Sequence, residues 1–212
     1  MTTTPGRAAR LPRGQRRESL LQAAREVFVD SGYHSAAMDD IARRAGVTKP
    51  VLYQHFSSKQ ELYLAVLDQG VEDVLAAVGK GLQSSPDNRS RVAATMDAYL
   101  GFMAREDGVY RLVFESDLVN LPAVRDRMES VNAECAQMVS QVIAEDTGLS
   151  TEESTLLAFG LIGLAQTAAR QWLRNPDTIV RPEAGSLLAA LAWRGISGFP
   201  KNPNPEQQGA TS

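Results

Sequence analysis

The stretch AGVTKPVLYQHFSSK (Ala45–Lys59) decides how this chain is read. A Gly-Val pair at 46–47 precedes a short run carrying Lys49, Tyr53, Gln54 and His55, with Leu52 and Phe56 four residues apart. That spacing puts Leu52 and Phe56 on one face of a helix and turns the hydrogen-bonding side chains elsewhere. A helix made only to pack needs no such set of donors. Thr48 is placed to cap it, its hydroxyl accepting an orphan backbone N–H. Pro50 suits the same start, because the first-turn N–H groups have no intrahelical partner.

Helical patterning extends outward in both directions. Leu20, Leu21, Ala24, Val27 and Phe28 form a buried stripe over Arg16–Asp30, and Gly32 is placed to stop it. A second helix fits Met38–Ala45, with Asp39 and Asp40 in its first turn and Gly46 at its end. Ser58 and Glu61 read as a capping box opening a long fourth helix through Leu62, Val66, Val71 and Leu75. After a loop at Ser84–Ser90, helices fit Arg91–Arg105, Val109–Leu118, Pro122–Glu145, Thr151–Arg174 and Pro182–Ile196. The expected fold is all-α, about nine helices: an N-terminal three-helix helix-turn-helix domain and a larger C-terminal helical domain. The expected boundaries are a flexible basic arm at 1–14, the head at 15–60, the body at 61–199 and a disordered tail at 200–212.

Charge divides along the same line. Residues 1–59 carry ten basic and five acidic side chains, a local +5 within a net charge of −3. A basic head on an acidic body predicts a polyanionic partner for the head alone, against the alternative of ordinary charge blockiness. The 43% hydrophobic and 22% charged fractions are those of a globular protein. No apolar run approaches the ~20 residues of a membrane span, and the basic N-terminus has no apolar core of a secretory signal. Cys135, the single cysteine, leaves no disulfide framework. The expected location is the cytoplasm.

Two short helices joined by Gly46-Val47-Thr48 match a helix-turn-helix, whose second helix enters the major groove. Gln54 suits adenine, Lys49 suits guanine O6/N7, and the Pro50–Val51 edge suits a thymine methyl. Tyr53, His55 and Lys59 carry donors for phosphate oxygens. Arg10, Arg13, Arg16 and Arg17 on the arm either reach the duplex or remain solvated. On spacing alone, a helical hairpin with a solvated polar face stays open as the other reading.

The segment GYHSAAMDDIARRAGVTKPVLYQHFSSKQELYLAV closely resembles the DNA-binding region of the TetR family of bacterial transcriptional regulators. The match runs through Phe28, Gly32-Tyr33, Asp40-Ile41-Ala42, Ala45-Gly46-Val47, Leu52 to Phe56, Lys59 and Leu62, roughly residues 16–67. The resemblance implies base contacts from Thr48, Lys49, Pro50, Val51 and Gln54, and phosphate contacts from Tyr53, His55 and Lys59. One departure stands at Ala36-Ala37, where many members carry a Ser or Thr that caps the second helix and touches phosphate.

The resemblance also implies that the body binds a small molecule and forms a homodimer. Tyr99, Phe102, Met103, Tyr110, Phe114, Met138, Phe159 and Trp172 offer an aromatic and thioether lining, with Gln166, Arg170 and Asn132 as polar partners. Plain core packing is the competing reading for each. For the dimer seam, Leu156–Leu173 is apolar nearly all round, and Leu187–Gly195 is a second such run. Leu157, Gly160, Leu161, Leu164, Ala168, Leu187, Leu191 and Trp193 are the expected seam residues of an isologous interface. The chain has no catalytic, cofactor or metal motif, with only His34, His55 and Cys135 as candidates, so enzyme chemistry is not expected. The expected function is a ligand-responsive repressor, bound as a homodimer to a pseudo-palindromic double-stranded operator and released by a small molecule. No membrane partner is expected.

Overall fold

A computed structural model describes residues 12–196 apart from Asp117 and Val119. Among these residues there are nine helices and no strand. Contacts divide the chain into two units between Leu67 and Asp68, inside a helix and a little beyond the boundary expected at residue 60.

The first unit holds α1 (Arg13–Ser35), α2 (Met38–Arg44), α3 (Lys49–His55) and the start of α4 (Lys59–Leu82). α1 begins earlier than Arg16 because extended Pro12 stands at its N-cap and offers its carbonyl to the Arg16 N–H at 3.0 Å. Arg13 and Gly14, expected in a flexible arm, therefore belong to the first helical turn, and Arg16 and Arg17 stand on a helix. Gly32 breaks the regular helix at φ 71°, as its position predicted, and a last turn carries the chain to Ser35. Leu20, Ala24 and Phe28 are buried, as are Ile41, Leu52, Phe56 and Leu62, so each of the four helices gives side chains to the core.

The α2–α3 corner is a Schellman turn. Gly46, at φ 65°, donates to Arg43 O at 3.1 Å, and Val47 donates to Ala42 O at 2.9 Å. Only a residue free to take positive φ closes the helix this way, which accounts for Gly46. Thr48 caps α3 differently from expectation. Its carbonyl accepts the Val51 N–H at 3.0 Å and the Leu52 N–H at 3.2 Å, while its hydroxyl makes no cap bond. Pro50 has removed one first-turn donor, and Val51 is already held by the backbone. Ala37, at the N-cap of α2, likewise makes no side-chain cap.

The capping box at α4 is present but displaced. The Glu61 N–H donates to Ser58 Oγ at 3.1 Å, yet the Glu61 carboxylate reaches past Ser58 to the Ser57 N–H at 2.7 Å and hydroxyl at 2.6 Å. These bonds, opposed by a smaller desolvation effect, hold the Glu61 carboxyl below its ordinary pKa.

The second unit holds the rest of α4, α5 (Asn88–Met103), α6 (Val109–Phe114), α7 (Pro122–Thr147), α8 (Thr151–Leu173) and α9 (Arg181–Ile196). α5 starts three residues before Arg91 because Asp87 caps it, accepting the Ser90 N–H at 2.8 Å. α6 stops at Phe114 rather than Leu118, since Glu115 leaves helical geometry and Leu118 donates instead to Ser116 Oγ at 3.1 Å. α7 packs along α8, and α5 along α9. Ala136, Ile143 and Ala158 form the core between α7 and α8, flanked by Leu157 and Leu161.

α4 meets α6 at Gly70. A β-carbon there would stand 2.8 Å from Val113 Cγ2 and 2.9 Å from Val109 Cγ2, both on fully buried side chains. Ion pairs flank the contact: Asp68 with Arg127 of α7, and Asp73 with Arg105 at 2.6 Å.

Candidate functional site

α3 turns Leu52 and Phe56 into the core and leaves Thr48, Lys49, Pro50, Tyr53 and Gln54 exposed, with Val51 and His55 half-buried. Tyr53 keeps 42% of its surface, a large value for an aromatic ring on a packed helix. The polar face expected of a groove-entering helix is therefore open.

The cations around it are not equivalent. Lys49 is held to Asp39 of α2 at 3.0 and 3.2 Å, and this hydrogen bond is the first cause of its raised pKa. Arg44 pairs with Glu26 at 2.6 Å and Arg43 with Asp40 at 3.0 Å. Arg13, Arg16 and Arg17 make no ion pair among the described residues. They lie close enough to His55 to lower its pKa, after burial, the largest cause. The Arg17 guanidinium also sits 5.0 Å from the centre of the Phe56 ring. The start of α1 and the end of α3 thus share one positive edge. Arg10 lies outside the described residues.

Lys59 departs from its expected phosphate role. Its ammonium donates to the carbonyls of Tyr33 at 2.7 Å, Ala36 at 2.9 Å and His34 at 3.3 Å, and lies 4.5 Å from the Tyr33 ring centre. An ammonium has three donors, and all are engaged with the corner after α1. The Tyr33 ring in turn meets Tyr63 edge-to-face at 5.2 Å.

In the second unit a cavity of about 90 Å³ opens among α4, α5, α6, α7, α8 and α9. Of the residues expected around a ligand, Tyr99, Phe114, Gln166 and Asn132 line it. The rest of its wall is mainly aliphatic, with Val78 and Leu82 of α4, Val139 of α7 and Leu161 and Ile162 of α8. Sequence reading missed these because it sought aromatic and thioether groups; the α4 stripe through Val71 and Leu75 continues at helical spacing to Val78 and Leu82.

Seven expected lining residues lie elsewhere. Phe102 and Met103 are buried but do not line the cavity, and Tyr110 lies outside it, its ring beside Arg111. Met138 lines a separate polar groove with Ser84, Ser85, Arg91 and Gln141. Phe159 is 47% exposed because its helical position turns it away from α7. Arg170 is exposed, and Trp172 turns its indole N–H to Ile179 O at 2.7 Å.

The expected seam is only partly an outer surface. Leu157 and Leu161 pack inward against α7, and Leu161 borders the cavity. Leu164, Ala168 and Trp193 are half-buried. Gly160, Leu187 and Leu191 are exposed, joined by Leu156 at 73% and by Phe159, which had been expected in the cavity lining. Leu156, Phe159, Gly160 and Gly163 recur at helical spacing on one face of α8. A β-carbon at Gly160 or Gly163 would meet nothing within 4 Å, so packing among the described residues does not account for either glycine.

No described helix is long and apolar enough to cross a membrane. Among the described residues no cluster of His, Cys, Asp and Glu could hold a metal ion.

Comparison with known proteins bears on both units. Residues 20–66 match the model of "Bacterial regulatory proteins, tetR family". The chain is 44% identical over 194 residues to the HTH-type transcriptional activator FasR of Mycolicibacterium smegmatis, covering 92% of this chain and 89% of that one. A TetR-like transcriptional regulator from Rhodococcus sp. RHA1 superposes with a TM-score of 0.72 at 26% identity, over 89% of this chain and all of that chain. FadR from Bacillus subtilis, solved in complex with stearoyl-CoA, shares the fold with a TM-score of 0.70 at 16% identity, over 86% of this chain and 98% of that one.

Proposed function

The chain belongs to the TetR family of bacterial transcriptional regulators, and from that membership we propose a homodimeric activator of transcription whose hold on DNA answers to an apolar small molecule. The open polar face of α3 beside the Arg13, Arg16, Arg17 and His55 edge carries the DNA-binding half of this reading. Thr48, Lys49, Pro50, Val51 and Gln54 read base edges in the major groove. Tyr53, His55 and the three arginines meet phosphate. Lys59, with its donors engaged inside the head, is not given that role.

The residues from 68 onward serve regulation and dimerisation. The exposed apolar face of α8 and α9, built on Leu156, Phe159, Leu187 and Leu191 around Gly160 and Gly163, is covered by the same face of a second copy. Two α3 helices then enter successive major grooves of a pseudo-palindromic operator, about 34–36 Å apart or a multiple of it. The effector occupies the cavity, whose aliphatic wall favours hydrocarbon. Phe114 borders that cavity, while Val109 and Val113 of the same short helix clasp Gly70 of α4. An effector that displaces Phe114 shifts α4, and the shift is limited by its preference for one of the two states.

The sign of control departs from the repression expected at first. A relative of nearly full length is named an activator, and this favours activation here. In vitro transcription from a template carrying the DNA upstream of this chain's own gene tests it. Added protein raises transcript yield if the reading is right. A fall in yield with intact binding returns the chain to repression, and sequence-blind binding removes the operator assignment altogether.

A further inference from the structure

Lys49, the first residue of α3, is tied to a carboxylate of the neighbouring helix. Its ammonium lies 3.0 Å from Asp39 Oδ1 and donates to Asp39 Oδ2 at 3.2 Å. The two side chains stay 51% and 59% exposed, so a duplex laid against α3 reaches both. The adjacent Asp40 is turned instead to Arg43 of its own helix at 3.0 Å. Lys49 is the only Lys or Arg on α3, and it is paired, whereas Arg13, Arg16 and Arg17 of α1 make no ion pair among the described residues. An exposed ion pair contributes little to stability. This one also sets a negative charge beside the helix face that is to meet a polyanion, so stability is a poor account of it.

We propose that Asp39 is a specificity-determining residue, which keeps Lys49 off phosphate and holds it for a neutral base edge. The proposal rests on α3 entering the major groove and adds how the head tells its operator from other DNA. Of the three ammonium donors one is spent on Asp39 Oδ2, which leaves two, the number that guanine O6 and N7 accept. The guanine edge carries no net charge, so Lys49 takes it without giving up Asp39. A phosphate differs. Its charge would face the Asp39 carboxylate at close range, and like charges repel, so Lys49 reaches a phosphate only by leaving its partner. On a sequence without guanine at that position the same cation therefore adds little affinity. Discrimination comes as much from a penalty on wrong DNA as from the contact to the right one.

The test is fluorescence anisotropy of the full chain over a salt series, on a duplex that wild type selects from a random pool and on a scrambled duplex. Wild type, Asp39→Asn, Lys49→Ala and the double variant are compared. Asp39→Asn keeps the side-chain shape and removes the charge. It is expected to tighten the scrambled duplex severalfold at low salt and to steepen its salt slope by about 0.9, one further phosphate. The selected duplex gains less and keeps its slope, so discrimination falls. In the Lys49→Ala background, Asp39→Asn should leave the scrambled slope unchanged. Damage to the fold would weaken both duplexes, the opposite of the expected gain. If Asp39→Asn discriminates as wild type does, or steepens the slope equally without Lys49, the assignment of Asp39 falls while the DNA-binding reading stands. If wild type selects no preferred duplex, both fall.

Discussion

The ammonium of Lys59, the first residue of α4, lies 2.7 Å from the carbonyl oxygen of Tyr33 and 4.5 Å from the centre of its ring. This pairing, with Ala36 O and His34 O completing it, fastens α4 to the corner between α1 and α2. Lys59→Met should lower stability by about 1–3 kcal/mol, the range for unmade hydrogen bonds to a charged group. DNA affinity should fall severalfold because the helix-turn-helix loses its support. The slope of log affinity against log salt should not change, since no phosphate contact is removed. A slope smaller by about 0.9 would show instead that Lys59 neutralises a phosphate. Fluorescence anisotropy over a salt series reads both quantities.

Tyr53 and Lys49 separate the two kinds of DNA contact. Tyr53→Ala should weaken binding to specific and non-specific duplexes alike. Lys49→Ala should cost about 1–3 kcal/mol on the operator and little on unrelated DNA, if it reads a base. Because Asp39 holds Lys49 at 3.0 Å, Asp39→Asn should release the cation and tighten operator binding at low salt. Competition titrations with operator and scrambled duplexes measure each effect.

His55 predicts a pH response. Burial first, then Arg13, Arg16 and Arg17, hold its pKa below 6.5, so it is neutral in the free protein at pH 7. With the folded pKa depressed, the unfolded chain takes up the proton first. Stability attributable to His55 is intact above about pH 6.5 and declines as pH falls from there towards the folded value. A phosphate beside the ring reverses the preference, because an anion favours the imidazolium. DNA affinity should therefore rise between pH 7.5 and pH 6, by up to about tenfold per unit of pKa regained. His55→Gln should flatten that rise. A flat profile in the wild type would exclude His55 from phosphate contact.

Two glycines on long helices should respond oppositely to alanine. At Gly70 the new methyl would stand 2.8–2.9 Å from Val113 and Val109, so Gly70→Ala should destabilise the protein by about 1–3 kcal/mol. At Gly163 the methyl meets nothing within 4 Å, so helix propensity alone should stabilise a monomer by about 1 kcal/mol. If α8 faces a second copy closely there, Gly163→Ala should weaken self-association in sedimentation equilibrium. Unchanged association would remove Gly163 from the seam.

The head was legible because its signals are local. The spacing of Leu20 to Phe28, the stop at Gly32 and the turn at Gly46 each depend on residues within a few positions. The role of Lys59 was not legible, since its carbonyl partners lie 23 to 26 residues upstream and carbonyls leave no mark in a sequence. The start of α1 was missed for a nearer reason: a run of arginines reads as an arm unless Pro12 is recognised as its cap. In the body, periodicity identified apolar residues but not where helices fail to meet. Phe102 and Met103 fill space between helices, whereas the smaller Val78, Leu161 and Ala165 leave it empty. Phe159 belongs to an outer face for the same reason: a helix apolar on all sides does not announce which side turns inward.

The 24 residues of α4 give chain length itself a meaning. In the second unit, Asp68, Gly70 and Asp73 hold three successive points of it against Arg127, against Val109 and Val113, and against Arg105. Each residue of an α-helix advances the axis by about 1.5 Å and turns it by about 100°. One residue inserted between Asp68 and Asp73 would swing these anchors out of phase, whatever residue was inserted. The same insertion at Ser85–Pro86, in the turn before α5, changes no helical phase and is absorbed locally. Substitutions along the exposed side of this stretch are therefore tolerated where a single-codon insertion is not, and scanning insertions through residues 68–73 would map the segment as one whose length, more than its composition, is under constraint.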